Sequence, residues 1–369
     1  MQIDMHYYCI YYLCLAAGFQ PKDAYIIAYS SQYVDDAKEY ETIQLKDKTG
    51  NVKFFDPICT QHMSLKSFGQ IISDKIYLPF HFVPTDIGNA SDERILTKVF
   101  EENKIHQKIF KDALKSNNLY RLGIALHAMA DSYSHQNFSG DWSTVNQVSL
   151  MRCVLRERVV PSNLLDSIGW LTNHYVQRLI HWIFSVFAPV IGHLRAHKIP
   201  DYPHAVWRYR NYQGISVKMS NPDQYIRCAM TIFKWLKRIQ KKYPVRLGEP
   251  EVKATVKEAI YQTGPVEKRI GIWEKSIKQT LHPEVIPYHE LDWKKKAFSD
   301  SENMLWNMAP RTGKQYQIQG TFSDFKKSHF FRFHLAAQKH RINVLQALKG
   351  VMHRFNLSLQ ETRQKVILS

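Results

Sequence analysis

The sequence predicts a mostly helical globular protein. Apolar residues recur at three- and four-residue spacing over long segments, strand-like runs are short, and the glycines and prolines fall between the helical stretches. The chain has 369 residues, which is enough to bury a large core. Apolar residues make up 44% of it and aromatic residues 13%, which argues against a disordered chain.

Each periodic segment is expected to form a helix, and the segments span residues 5–17, 22–37, 92–116, 119–136, 162–187, 222–243, 251–262, 266–280 and 324–353. Strands are predicted only at 51–55 and 75–82, where the β-branched and aromatic residues cluster. A start at Asn221 is indicated for one helix, because proline follows at position 222.

Domain organisation follows from the composition along the chain. Residues 1–300 are predicted to form a helical domain that resembles a metal-binding catalytic domain. The stretch 282–323 is polar and irregular, which is typical of a long connection. Residues 301–369 are predicted to be a linker followed by a basic amphipathic helical tail, which acts as a helical C-terminal extension.

The charge balance favours an anionic partner. Lysine and arginine number 50 against 33 aspartates and glutamates, so the net charge is +17. Long-range attraction of this kind suits nucleic acid, a phospholipid surface or a phosphorylated substrate, and it does not choose among them.

Cysteine usage and hydropathy bear on the compartment. The five cysteines form no CxxC pair, so neither a disulfide framework nor a thiolate zinc site is expected. No basic region precedes the apolar start YYCIYYLCLAAGF, which we interpret as a mature helix. The apolar run 180–194 is shorter than the roughly 20 residues of a spanning helix. We therefore expect no transmembrane segment and a cytoplasmic protein by default, or one delivered by a specialised bacterial secretion system.

The segment LGIALHAMADSYSHQNFSG (122–140) places His127, Asp131 and His135 at steps of four. On a helix such a step turns only about 40° beyond a full circle, so the three side chains form one row. Small apolar neighbours indicate that the row faces the interior, where an ionised Asp131 is costly unless it is paired or bound to metal. Metal binding explains the row economically. The alternative is a hydrogen-bond network in which Asp131 accepts from one histidine.

Three residues cannot complete two metal sites, so further ligands are expected near helix ends. The candidates are Asp4, His6, Asp35, Asp36, His81, His193 and Asp201. Local patterns leave alternatives open for all of them: a surface or core position for Asp4 and His6, a solvated acidic helix end for Asp35 and Asp36, and a packed core histidine for His81. The pairing among His193, His197 and Asp201 is ambiguous, and His193 and Asp201 are the preferred candidates.

These motifs resemble those of zinc-dependent phospholipases C and single-strand-specific nucleases. More closely, the chain resembles an uncharacterised bacterial family that opens with MQxDxHY and carries a SQYVDD-like motif. The matching segments cover roughly residues 1–240 and are MQIDMHY (1–7), SQYVDD (31–36), LPFHFVP (78–84), LGIALHAMADSYSHQNFSG (122–140) and IGHLRAHKIPDYPHAVWRY (191–209).

The resemblance implies an all-α enzyme that holds about two to three zinc ions and cleaves phosphate ester bonds. It implies three ligand sets: Asp35, His81, His127 and Asp131 for one zinc of a close pair, His6 and Asp131 with Asp4 for its partner, and His135, His193 and Asp201 for the third.

The chain departs from the superfamily pattern at two places. Members of the superfamily use as a ligand the amino group that signal cleavage releases, and Asp4 is expected to take its place here. They also supply the third site from a compact HxxxD or HxxxE helix, whereas here the segment GHxxxxxxxPD is longer.

The leading hypothesis is a phospholipase C-like zinc phosphodiesterase, in which a hydroxide bridging the metal pair attacks phosphorus. Asp35 or Asp36 is expected to orient or deprotonate this nucleophile. Two alternatives remain: a nuclease on single-stranded nucleic acid with the same site, and a non-catalytic metal-stabilised binding protein. The basic segment 233–243 is a candidate for peripheral membrane contact, and a solvated helix face is its alternative. The sequence does not indicate an oligomeric state.

Overall fold

The computed structural model describes residues 1–61, 72–85, 96–154, 191–299 and 315–349. A π-helical segment (Asp4–Cys9) runs directly into the first α-helix. The helices are α1 (Ile10–Ala16), α2 (Pro21–Asp36), α3 (Leu78–Phe80), α4 (Lys104–Lys115), α5 (Leu119–Ser134), α6 (Asn221–Ile239), α7 (Glu249–Tyr261), α8 (Val266–Thr280), α9 (Asp292–Ala297), α10 (Phe322–Lys327) and α11 (His329–Leu348).

The described part of the chain is mostly helical, as predicted, but it also contains two three-stranded sheets, so the strictly all-α class is not confirmed. The strands are β1 (Ile43–Lys46), β2 (Val52–Phe55), β3 (Ser149–Val154), β4 (Val206–Arg210), β5 (Ser216–Ser220) and β6 (Gln315–Gln317). In the first sheet β1 lies between antiparallel β2 and parallel β6, and the second sheet, β3-β4-β5, is antiparallel throughout.

Helix α5 lies at the centre of the fold, where α2, α4, α6 and α11 pack against it. Its closest neighbour is α2, and Gly123 permits this approach: a Cβ atom at that position would lie 2.3 Å from the carbonyl oxygen of Ile27. All its residues from Tyr120 to Ser134 are buried. Because this helix has no exposed face over these residues, His127 and Asp131 lie in the interior of the protein.

Polar side chains fix where several helices begin. The side chain of Asn103 accepts from His106 N at the start of α4, and that of Asn118 accepts from Arg121 N at the start of α5. Thr321 and Asp324 form a capping box on α10. Up to residue 349, the predicted helix 324–353 is therefore two helices, separated at Ser328, whose hydroxyl accepts from the first turn of α11. Residues 350–353 lie outside the described residues.

Other differences from the sequence prediction concern short elements. The predicted strand 75–82 is wrong, because Ser73–Tyr77 is π-helical and continues into α3. A short buried apolar run has no periodicity that separates strand from helix. Helix α4 begins twelve residues after the predicted start at 92, and residues 162–187 lie outside the described residues.

The described residues include all five cysteines, and they also bear on the expectation about membrane-spanning helices. All five cysteines are free, and all but Cys153 are buried. Within the described residues, no helix combines the length and the hydropathy that crossing a bilayer requires.

Candidate metal centre

Three groups of histidine and aspartate side chains meet around α5. Within each group, one ligand atom of every residue lies within 4.8 Å of the others. The groups are His6, His127 and Asp131; Asp35, His81 and His127; and His135, His193 and Asp201. Each of these residues is a ligand candidate from the sequence, and the structure brings all of them together.

The row at steps of four lies along the C-terminal half of α5. His127 and Asp131 are one turn apart on the helix, and their side chains are fully buried. His135 follows as the C-cap, and its backbone N–H donates to the carbonyl of Asp131 at 2.8 Å. The helix therefore ends where the row ends, which leaves the His135 ring free to face a neighbouring segment.

The carboxylate of Asp131 joins the first two groups. Its Oδ1 atom lies 3.1 Å from Nε2 of His6, and its Oδ2 atom lies 3.0 Å from Nδ1 of His81 and 3.2 Å from Nε2 of His127. Ligands about 2.0–2.1 Å from a tetrahedral zinc are about 3.3 Å from one another. The distances from the Asp131 oxygens to the three histidine nitrogens match that spacing, as expected for donor atoms that could hold a metal ion.

Asp35 completes the second group from the end of α2. Its Oδ1 atom lies 3.8 Å from Nε2 of His127 and 3.9 Å from Nδ1 of His81. The Asp35 side chain is 25% exposed, whereas the carboxylate of Asp131 is buried. Solvent therefore reaches the cluster on the Asp35 side.

The third group lies at the other end of the row. Nε2 of His135 is 3.2 Å from Oδ1 of Asp201, and Nε2 of His193 is 3.6 Å from Oδ2 of the same carboxylate. The side chain of Asn221 holds the backbone beside Asp201, because its Nδ2 donates to the carbonyls of Ile199 at 2.7 Å and Tyr202 at 2.8 Å.

Backbone carbonyls orient three of the rings. Nε2 of His81 faces the carbonyl of Thr60 at 2.9 Å, Nδ1 of His193 faces that of His197 at 2.8 Å, and Nδ1 of His135 faces that of His81 at 3.3 Å. A carbonyl only accepts, so each of these nitrogens carries the hydrogen. When the ring is neutral, its other nitrogen therefore has a lone pair that points into the cluster, as in histidines that bind metal.

The electrostatics differ among the residues of the cluster. Burial alone would lower the pKa of His81, but the adjacent Asp131 outweighs it and raises that pKa. Burial, aided by His127, lowers the pKa of His6 well below its usual value. Burial alone would raise the pKa of Asp131, but the surrounding His135 and the amino group of Met1 outweigh it and hold that pKa well below its usual value. For Asp35, burial dominates and raises the pKa. Neutral imidazole and carboxylate are the forms that bind a metal ion.

Asp4 lies outside the three groups, in contrast to the expectation that it replaces an amino group. Its Oδ2 atom accepts from Nε of Arg269 at 2.6 Å, and both side chains are buried. The amino group of Met1 instead lies 2.9 Å from Oδ1 of Asp131 and 3.1 Å from Oδ1 of Asp201. A buried guanidinium needs a counter-ion, which explains the direction of the Asp4 side chain.

Asp36 also lies outside the groups. Its Oδ2 atom accepts from the hydroxyl of Tyr288 at 2.7 Å and from Nε2 of Gln32 at 3.1 Å. Sequence reasoning missed the supporting residues, which are Thr60, Asn221, Arg269 and Tyr288. They act through contacts between distant parts of the chain, and only Asn221, marked by the helix start at Pro222, carried a local signal.

The described part of the protein is thus a mostly helical fold around three histidine and aspartate groups that could hold a metal ion. The chain belongs to DUF6765, a family of unknown function, whose family model matches residues 1–348. Comparisons with curated proteins and with solved structures found no match.

Proposed function

We propose that this protein is a zinc-dependent phosphodiester hydrolase of the phospholipase C type. The observation that carries the proposal is the orientation of His81, His135 and His193, whose lone pairs converge on carboxylates while their N–H groups donate to backbone carbonyls. A simple hydrogen-bond network has no need for a ring nitrogen without hydrogen to face a carboxylate oxygen, as Nδ1 of a neutral His81 does at 3.0 Å from Oδ2 of Asp131.

His127 belongs to two of the groups, so two metal ions held there would be close neighbours. Zinc ions so placed lower the pKa of a bound water and neutralise negative charge on a phosphoryl group. Among the protein's own residues, Asp35 is best placed to act on the nucleophile, because it lies on the solvent side and its pKa is raised by burial. A carboxylate in that position accepts a proton from an attacking water near neutral pH.

A phospholipase C-like enzyme and a nuclease would use the same chemistry at this site. The net charge of +17 suits both. The segment 233–243 gives limited support to membrane contact, because Phe233 and Leu236 are buried in the core and Lys237 pairs with Glu249 at 2.8 Å. A non-catalytic binding protein with saturated metal sites is the remaining alternative.

The proposal is tested by offering two substrates to zinc-supplied protein. We expect release of diacylglycerol from liposomes, loss of this activity on chelation, and recovery when zinc is returned. Cleavage of single-stranded oligonucleotides with no action on liposomes would favour the nuclease. No turnover of either substrate by metal-loaded protein would favour the binding protein.

A further inference from the structure

The second sheet exposes a row of like charges. In the register of β3-β4-β5, Arg152 lies directly opposite Arg208, and Arg208 lies directly opposite Lys218. Directly opposite residues have their Cβ atoms about 4.5–5.5 Å apart, and like charges in such pairs are destabilising. All three side chains are exposed. Within the described residues, none of them forms an ion pair.

The other face of this sheet is fixed against the protein. Trp207, Tyr209 and Met219 alternate with the basic residues and are buried in a separate apolar cluster, together with Phe82 and Phe138. Because side chains alternate along a strand, this packing fixes the basic row outward. A fourth basic residue, Arg210, lies two residues beyond Arg208 on the same exposed face.

An ordered turn extends this face. The side chain of Asn211 accepts from the backbone N–H groups of Gln213 at 3.1 Å and Ile215 at 2.9 Å, which fixes the connection between β4 and β5. This turn presents Ile215, whose side chain is 56% exposed. A large apolar side chain next to a basic surface is suited to the boundary between lipid headgroups and acyl chains.

We propose that the outer face of β3-β4-β5, made of Arg152, Arg208, Arg210 and Lys218 with Ile215 at its turn, docks onto the anionic surface of a phospholipid bilayer. Negative headgroups remove the repulsion along the row, and Ile215 enters the interface. Single-stranded nucleic acid fits less well, because its recognition relies on aromatic stacking and the exposed positions of these strands carry no aromatic ring.

The location of the sheet relates this surface to the metal centre. Strand β4 begins five residues after Asp201, and Asn221, which follows β5, holds the backbone beside Asp201. The inference deepens the proposed function, since it names a lipid surface as the phase that carries the substrate. Binding is measured as the protein that sediments with the vesicles and hydrolysis as the product released, so a failure of docking and a failure of hydrolysis are distinguishable.

The test is co-sedimentation of zinc-supplied protein with two kinds of vesicle, phosphatidylcholine alone and phosphatidylcholine with phosphatidylglycerol. We expect binding to the anionic vesicles only, weakened by high salt because exposed charges are screened. Replacing Arg152, Arg208 and Lys218 by glutamine should weaken that binding on the order of 100-fold. Ile215→Ser should weaken it by a smaller factor, since it removes only apolar contact.

A matched control removes three charges elsewhere. Lys253, Lys257 and Lys275 are exposed on α7 and α8, and their replacement by glutamine lowers the net charge equally. This control should bind anionic vesicles within a few-fold of the native protein. The sheet variant should unfold at the same temperature as the native protein or higher, because the substitutions remove like-charge pairs.

Three results would overturn the proposal. The first is a native protein that binds neither vesicle. The second is a sheet variant that binds as tightly as the native protein, or a control that weakens equally. The third is a sheet variant that keeps vesicle binding but loses binding to a single-stranded oligonucleotide, which would assign the face to nucleic acid.

Discussion

Oδ2 of Asp131 lies 3.2 Å from Nε2 of His127, one helical turn earlier on the same buried helix. A carboxylate and an imidazole on one helix face could form a simple hydrogen bond. His81, however, approaches the same carboxylate oxygen at 3.0 Å, and in its neutral form this nitrogen carries no hydrogen, because the other one donates to the carbonyl of Thr60. The amino group of Met1 already lies 2.9 Å from the second oxygen of this carboxylate, and a cation is the natural complement of the arrangement.

The groups predict separate losses of metal for different histidines. His127 contributes to the close pair and His193 to the third group. A neutral imidazole nitrogen has one lone pair and holds one ion, so His127→Ala and His193→Ala should each lose one ion and the double variant two, as measured by elemental mass spectrometry of folded protein. His289, which is exposed and outside the groups, provides the control His289→Ala with full metal content. A double variant that loses no more metal than either single variant would show that the groups do not hold separate ions.

Asp36 should not be a ligand. Asp36→Asn is expected to keep the full metal content and to lower turnover by less than tenfold, because its carboxylate bonds to Tyr288 rather than to the groups. Tyr288→Phe removes the same hydrogen bond and should lower the free energy of unfolding by about 1 kcal/mol. Loss of a metal ion in Asp36→Asn would return this residue to the ligand set.

The buried ion pair between Asp4 and Arg269 predicts a stability effect. Arg269→Ala leaves the carboxylate of Asp4 buried without its partner and should lower the free energy of unfolding by about 3–5 kcal/mol. The double variant Asp4→Leu with Arg269→Met should recover most of this loss and keep the metal content. Urea unfolding measures the first effect. A double variant that loses zinc would show that Asp4 does bind metal.

The buried side chain of His334 is expected to make the free energy of unfolding fall at acidic pH. Its Nδ1 accepts from the backbone N–H of Ile58 at 3.0 Å, and burial lowers its pKa to about 4. The unfolded chain binds this proton below about pH 6.5. The stability from His334 is therefore present above that pH and is lost as the pH falls toward 4, at up to about 1.4 kcal/mol per pH unit.

His334→Gln provides the comparison for this pH effect, because glutamine accepts a hydrogen bond and does not titrate. The free energy of unfolding of this variant should depend less steeply on pH between about 4 and 6.5. Parallel curves for the variant and the native protein would contradict the assignment.

The sequence predicted the helices and the residues that meet in the three groups better than the sheets and the supporting contacts. The row at 127, 131 and 135 was readable because helix geometry alone brings these side chains together. The strands around Trp207 and Met219 alternate apolar and polar residues, but they are too short to stand out from the helical periodicity of their surroundings. Arg269 was not predictable as the partner of Asp4, since only the packing of α8 on the N-terminal segment joins residues so far apart in sequence.

The central claim is that the cluster around Asp131 holds metal, and the most direct test is the zinc content of the native protein and of Asp131→Ala. Both are purified without a metal-binding tag and offered zinc, with Asp223→Ala, which removes an exposed carboxylate, as the control. We predict up to three zinc ions per native chain, one for each group, and full retention in the control. Asp131→Ala should lose at least the ions of the close pair. Folded native protein that binds no zinc would contradict the account and make the cluster a buried hydrogen-bond network.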